Sequence, residues 1–270
     1  MQRNDIRLAN QHHIMRVTLL QTDITWASPD ANRENVNGLL ASNEGSDLYV
    51  LPEMWTTGFA TLPEGIAESD GKSLEWMKAK ARELGAALSG SVATAVTNGD
   101  GDTSYFNRHY FVMPDGSCHI YDKRHLFGYG GEDKHYERGN ERVVVDYKGW
   151  RWLLLTCYDL RFPVWSRNRM DYDGIIIVAN WPTSRRGVWD LLVRARAIEN
   201  QCVVLAANRV GADQRCLYDG GSVVVDGRGR VIASCEDGRQ GACTAEISLA
   251  ALREFRQKFD VLRDRDEFDL

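Results

Sequence analysis

The chain has 270 residues, 43% of them hydrophobic and 26% charged, with a formal net charge of -5. That length suits one large α/β domain able to bury a sizeable core without staples. A weakly acidic chain of mixed charge lacks the basic footprint of a nucleic-acid binder, and no run approaches the roughly 18 apolar residues that span a bilayer. Residues Met1–Ile14 are polar and hold no apolar signal segment. With Met15 directly before the first strand-like run, residues 1–14 are expected to be an N-terminal extension and residues 15–270 a single domain. His12 and His13 fall in that extension and read as solvated.

Val17–Gln21 reads as a short apolar strand. Ser28-Pro29 follows as an N-cap with proline at the first helical position, opening a helix to about Ser42. Leu48–Leu51 is a second buried strand, stopped at Pro52-Glu53. Ser73–Leu84 is amphipathic, with Leu74, Met77, Ala81 and Leu84 on one helical face. Ala86–Ala95 suits a third strand. Tyr105–Met113 and Ser117–Lys123 form a hairpin about Pro114-Asp115-Gly116. Val143–Val145 and Trp152–Leu155 flank a turn at Tyr147–Gly149, and Gly174–Ala179 is a continuous buried strand. Gly187–Asn200 is a helix, Val203–Ala207 a strand, and Ser222–Val225 pairs with Val231–Ser234 across Asp226-Gly227. Leu249–Phe259 is a final helix. Alternating strands and helices with interspersed hairpins predict an α/β fold with mixed sheets; the pattern leaves one sheet or two open.

The six cysteines, Cys118, Cys157, Cys202, Cys216, Cys235 and Cys243, include no C-x-x-C pair. Without a secretion signal the expectation is free thiols and a cytoplasmic protein, with at least four of the six serving as small buried hydrophobes.

Cys157 lies just past the end of the Leu153–Leu155 strand. A side chain there faces the usual ligand crevice of an α/β sheet, and the Tyr158 backbone amide would face the same space as an oxyanion donor. The other reading is a core cysteine. A thiol nucleophile needs a base or a charge. His109, His119, His125 and His135 offer no strand-end position with an orienting acid, so a Cys–His pair is not supported. Glu53 and Lys123 also follow strands. A carboxylate can take the thiol proton and an ammonium can hold an oxyanion, although either could be a plain surface charge. No His/Asp/Glu cluster has metal-ligand spacing.

Three blocks together resemble the nitrilase superfamily of carbon–nitrogen hydrolases. They are Leu51-Pro52-Glu53-Met54, Tyr121-Asp122-Lys123-Arg124-His125-Leu126-Phe127 and Cys157-Tyr158-Asp159-Leu160-Arg161-Phe162-Pro163. The resemblance implies a four-layer α-β-β-α sandwich, with Glu53 as general base, Lys123 as oxyanion stabiliser and Cys157 as nucleophile. It also implies a second glutamate near the lysine, matched here by Glu132, and neither metal nor organic cofactor. The stretch Cys157–Asn168, with Asn180-Trp181-Pro182, Trp189–Leu192 and Arg194–Gln201, is most similar to the omega-amidases. This implies a small-molecule amide substrate, an α-keto-ω-amido acid such as α-ketoglutaramate. Its carboxylate is expected at Arg185 and Arg186, which suit bidentate binding, with Tyr129 and Trp181 as pocket walls and Arg161 supporting the Cys157 loop. Amidases of deaminated glutathione, carbamoylases and true nitrilases would share the catalytic residues. An inactive interaction module would be expected to have lost one of them. The resemblance further implies a homodimer or higher homo-oligomer across a Cys157-proximal helix, Phe162–Met170. Phe162, Val164 and Trp165 would be awkward if exposed, and Phe255, Phe259 and Val261-Leu262 are expected to pack on the partner.

Overall fold

The computed structural model describes residues 14–267 and 269. The expected extension lies, but for Ile14, outside the described residues, as do His12 and His13. Ile14 itself opens the first strand.

The first half of the chain runs β1 (Ile14–Gln21), α1 (Pro29–Ala41), β2 (Leu48–Val50), α2 (Lys72–Leu84), β3 (Ala87–Thr97), β4 (Thr103–Val112) and β5 (Cys118–Asp122). The second half runs β6 (Val144–Tyr147), β7 (Trp150–Thr156), α3 (Pro163–Ser166), β8 (Gly174–Val178), α4 (Arg186–Glu199) and β9 (Val203–Ala207). It continues through β10 (Val210–Ala212), β11 (Leu217–Asp219), β12 (Val223–Val225), β13 (Val231–Ser234), β14 (Gly241–Ser248) and α5 (Leu249–Lys258). Two six-stranded sheets result, ordered β14-β1-β2-β3-β4-β5 and β13-β12-β9-β8-β7-β6, with β10-β11 a separate ribbon. The expected α/β sandwich is thus built from two sheets. In each, three central strands run parallel (β1-β2-β3 and β7-β8-β9), flanked by antiparallel neighbours.

Strand alternation assigns the layers. A period of two sends successive side chains to opposite faces. Along β1 and β2, Val17, Leu19, Leu48 and Val50 join the large core shared with the second sheet. Leu20, Tyr49 and Leu51 turn outward, onto Val36 and Leu40 of α1 and Met77 and Ala81 of α2. On the other side, Trp189, Val193 and Ala197 of α4 pack into the core of the second sheet. Gly174 opens β8 because a Cβ there would lie 2.2 Å from the Trp152 ring. Glycine admits that indole between neighbouring strands.

Several expectations are corrected. The helix after Cys157 covers only Pro163–Ser166, because Pro163 starts it and Arg167 is already extended, with ψ 126. Trp165 is buried within the protomer, its Nε1 donating to Tyr121 Oη at 3.2 Å. Leu262 is buried too, whereas Val164 and Phe259 are exposed. Ser28 precedes α1, which does have Pro29 in its first turn, but its side chain makes no capping bond. Three cysteines, Cys202, Cys235 and Cys243, are buried; Cys118, Cys157 and Cys216 are half-buried.

Candidate active site

Four elements deliver the site. Glu53 follows β2 in a tight turn where Met54 takes a φ of +42°. Lys123 follows β5, its backbone N–H bound to the Asn107 carbonyl at 3.0 Å. Glu132 opens a 3₁₀ turn, Glu132–Lys134, after the left-handed Gly131. Cys157 follows β7 directly and begins a 3₁₀ turn with a φ of +45°. That conformation is costly for a residue with a Cβ and persists only where its surroundings enforce it. Here Asp159 does so. It is fully buried, and its carboxylate accepts from Thr156 N–H at 2.9 Å, Tyr121 Oη at 2.7 Å and His125 N–H at 2.9 Å.

Glu53, Lys123 and Glu132 have no solvent exposure at all. Lys123 Nζ donates to Glu53 Oε1 at 2.8 Å and to Glu132 Oε2 and Oε1 at 2.9 and 3.1 Å. It also stands 5.3 Å from the centre of the Phe59 ring. Backbone groups complete the carboxylates: Asn180 N–H reaches Glu53 Oε2 at 2.8 Å, and Phe127 N–H reaches Glu132 Oε2 at 2.7 Å. Glu132 is therefore buried and fully engaged. Burial alone would push Lys123 down; the carboxylates of Glu132 and Glu53 reverse this and raise it above its ordinary value. The lysine remains an ammonium. Burial, joined by the Glu53 charge, pushes the Glu132 carboxyl up against the pull of Lys123.

The Glu53 carboxylate is the charge that bears most strongly on the Cys157 thiol. Burial and that neighbouring charge push the thiol well above its ordinary range, against Lys123. The sulfur therefore rests as S–H and needs a base, and Glu53 is the carboxylate whose charge bears on it most. His125 does have an acid partner, Asp159 Oδ1 at 2.8 Å, but its ring is stacked on Phe162 at 3.8 Å. His109 is buried between the sheets, bound to Ser89 Oγ and the Leu155 carbonyl. Among the described residues no group of three or more His, Cys, Asp or Glu side chains could hold a metal ion.

A pocket of about 20 Å³ reaches Cys157 between Tyr158, Trp181, Arg161 and Arg185. Across Phe59, Phe127, Pro182 and Arg185 it adjoins a cavity of about 450 Å³, bordered by Trp26, Leu62, Ile66 and Tyr129. Trp181 is thus a wall of the inner pocket, and Tyr129, 90% exposed, stands on the outer rim. Arg185 lies over the Phe127 ring at 5.2 Å and Arg161 over Trp181 at 5.3 Å. Among the described residues neither guanidinium is paired with a carboxylate. Arg186 departs from expectation. It points to another face, bound to Asp190 at 2.8 Å and Asp237 at 2.9 Å, and its charge is already balanced. Sequence reasoning missed Asn107 and Asn180, both of which hold Glu53, and gave Arg161 only a supporting role.

A thiol beside a buried carboxylate and ammonium, set in an α-β-β-α sandwich, defines a hydrolase that works through a cysteine. Residues 16–257 match the carbon-nitrogen hydrolase family model. The chain belongs to that family, and it is a hydrolase of carbon–nitrogen bonds. It is 45% identical to the omega-amidase YafV of Escherichia coli over 257 residues, covering 95% of this chain and 98% of that one. The 2-oxoglutaramate amidase of Bacillus subtilis is 35% identical over 257 residues, covering 92% and 96%. The fold matches XC1258 from Xanthomonas campestris, a CN-hydrolase superfamily protein with an arsenic adduct in its active site. Its TM-score is 0.91 and its identity 42%, covering 96% of this chain and 99% of that one.

Proposed function

We propose that the protein is an omega-amidase, releasing ammonia from the terminal amide of a small α-keto-ω-amido acid such as α-ketoglutaramate. The observation that carries this reading is the pocket-lining Cys157 thiol within electrostatic reach of the buried Glu53–Lys123–Glu132 cluster, beside two guanidinium groups that have no carboxylate partner among the described residues. Glu53 takes the Cys157 proton and the thiolate attacks the amide carbon. Lys123 and the Tyr158 backbone N–H hold the oxyanion. The C–N bond breaks as Glu53 returns the proton to the leaving nitrogen, and ammonia departs from a thioester. Glu53 then takes a proton from water, whose oxygen displaces the sulfur and gives the carboxylate product. Glu132 keeps Lys123 in place throughout. Arg161 and Arg185 receive the α-keto carboxylate, and Trp181 and Tyr129 line its path.

The relatives named omega-amidase and 2-oxoglutaramate amidase support this substrate. The 450 Å³ cavity favours a second reading, a longer amide such as deaminated glutathione, by the same chemistry. A cytoplasmic homodimer is part of the proposal. Among the described residues no helix is long and apolar enough to cross a membrane, and Val164 and Phe259 are exposed apolar side chains that a partner would cover. The test is ammonia release from α-ketoglutaramate, α-ketosuccinamate, deaminated glutathione, an N-carbamoyl amino acid and a nitrile. A preference for the keto-amides is expected. Turnover of only another member keeps the mechanism and replaces the substrate; no turnover of any refutes the enzyme reading.

A further inference from the structure

Asn107 sits on β4, facing the second sheet, between the two glutamates. Its Nδ2 donates to Glu53 Oε1 at 2.8 Å and to Glu132 Oε1 at 2.9 Å. Both hydrogens of one neutral amide are used, one on each carboxylate. The far side of the amide is anchored as well. Met54 N–H donates to Ser91 Oγ at 2.9 Å, and the Ser91 hydroxyl donates to Asn107 Oδ1 at 2.8 Å. A flipped amide would set an acceptor against two carboxylates. The Asn107 main chain contributes again, since its carbonyl holds the Lys123 N–H.

The charges explain why such a group is needed. Two carboxylates without solvent exposure share one ammonium, which leaves one negative charge to be met by dipoles. The titratable groups facing the pair are Lys123 from the end of β5, Cys157 from the end of β7, and Tyr136 beyond Glu132. The Tyr136 hydroxyl donates to the Ala60 carbonyl, and burial raises it further, so it stays neutral. Among the described residues, Lys123 and two backbone N–H groups are the other donors to the pair. Without Asn107 the pair would retain a proton, and the base that Cys157 needs would be occupied for part of the time.

We propose that Asn107 is a positioning residue: by donating one N–H to each glutamate it keeps the pair ionised and aligned on Lys123, leaving Glu53 open to the Cys157 proton. This rests on Cys157 and Glu53 acting as nucleophile and base, and on no particular substrate. Asn107→Leu keeps the approximate shape and removes both donors without adding a titratable group. Hydrogen bonds to a charged form lower a carboxyl's titration, so their loss moves it up. The acid limb of kcat/KM is therefore expected at least one pH unit higher, with KM changed less than threefold and an unchanged circular dichroism spectrum. The acid limb of Cys157 alkylation by iodoacetamide should move with it. Ser91→Ala, which touches neither carboxylate but frees the amide, should shift both limbs the same way by less. Profiles in both variants that superimpose on the wild type would overturn the proposal, whatever their effect on melting temperature. If Asn107→Leu does not fold, the Ser91→Ala profile decides. The alkylation profile needs no substrate, so a wrong amide would show as absent turnover while this test still reads.

Discussion

Lys123→Met tests whether the buried cluster is one electrostatic unit. Methionine matches the length of the lysine stem but strands Glu53 and Glu132, both without solvent exposure, with no cation. Breaking a buried pair from one side costs about 3–5 kcal/mol. An unfolding entropy of about 2.1 cal/mol/K per residue gives about 0.6 kcal/mol/K for 270 residues, so the melting temperature should fall by roughly 5–9 °C. The deficit should depend on pH with a definite sign. In the variant the stranded carboxyls titrate above their unfolded value of about 4.3. The penalty is then present at neutral pH and relieved as protons bind on acidification. Calorimetry of wild type and variant at pH 8 and pH 5.5 measures both effects. A difference under about 2 °C at pH 8 would refute the reasoning, because two dry carboxylates cannot lose their only ammonium at so small a cost.

Cys157→Ala should abolish turnover while leaving the melting temperature near wild type. Cys157→Gly should be equally inactive yet more stable by up to about 1 kcal/mol, because glycine relieves the φ of +45°. Arg161→Ala and Arg185→Ala should each raise KM for a keto-amide about 10- to 100-fold, the worth of a charged hydrogen bond of about 1.5–3 kcal/mol. Arg186→Ala, whose guanidinium serves Asp190 and Asp237, should leave KM unchanged; a rise there would redirect the carboxylate site. Burial holds His109 down at about 3, so its folded value lies below the ordinary 6.5. Stability from this group is full above pH 6.5 and is lost toward pH 3 at about 1.4 kcal/mol per unit, so His109→Gln should flatten the acid side of the melting profile.

Much of the architecture was legible because burial leaves a periodic trace. Ile175, Ile176 and Ile177 announce a strand covered on both faces, and Pro114-Asp115-Gly116 announces its hairpin. β14 was missed because Gly241–Ser248 is built of small and polar residues; what makes it a strand is its antiparallel pairing along the whole of β1, more than 200 residues away in sequence. β10 and β11 have three residues each, too short for a pattern. Glu53, Lys123 and Cys157 were legible as candidates because each follows a strand, and their roles were expected from the resemblance of the three motif blocks around them. Arg185 and Arg186 looked equivalent, yet successive residues at a helix start point about 100° apart, and only Arg185 faces the pocket. Asn107 left a signal that went unread: Asn107, His109 and Phe111 alternate on one face of β4, and two polar residues on a core-facing stripe require buried partners.

The site exists only because two sheets pack face to face and bring the carboxyl ends of their parallel strands together. β4 and β5 each reverse direction, so β5 runs parallel to β2 and β3, and Lys123 emerges at the same edge of the first sheet as Glu53. In the second sheet the parallel strands β7 and β8 deliver Cys157 and Asn180 to their own carboxyl edge. In the proposed mechanism the proton of Cys157 therefore crosses from one sheet to the other to reach Glu53. The joint is tied there by Asn180 N–H on Glu53, by Tyr121 Oη on Asp159 and by the His109 ring on the Leu155 carbonyl. The first sheet carries the charges and the second carries a thiol held protonated by burial, so neither is reactive alone. Changes that loosen this joint by fractions of an ångström should lower kcat well before they unfold the chain, since proton transfer depends on hydrogen-bond reach and the core on its summed burial.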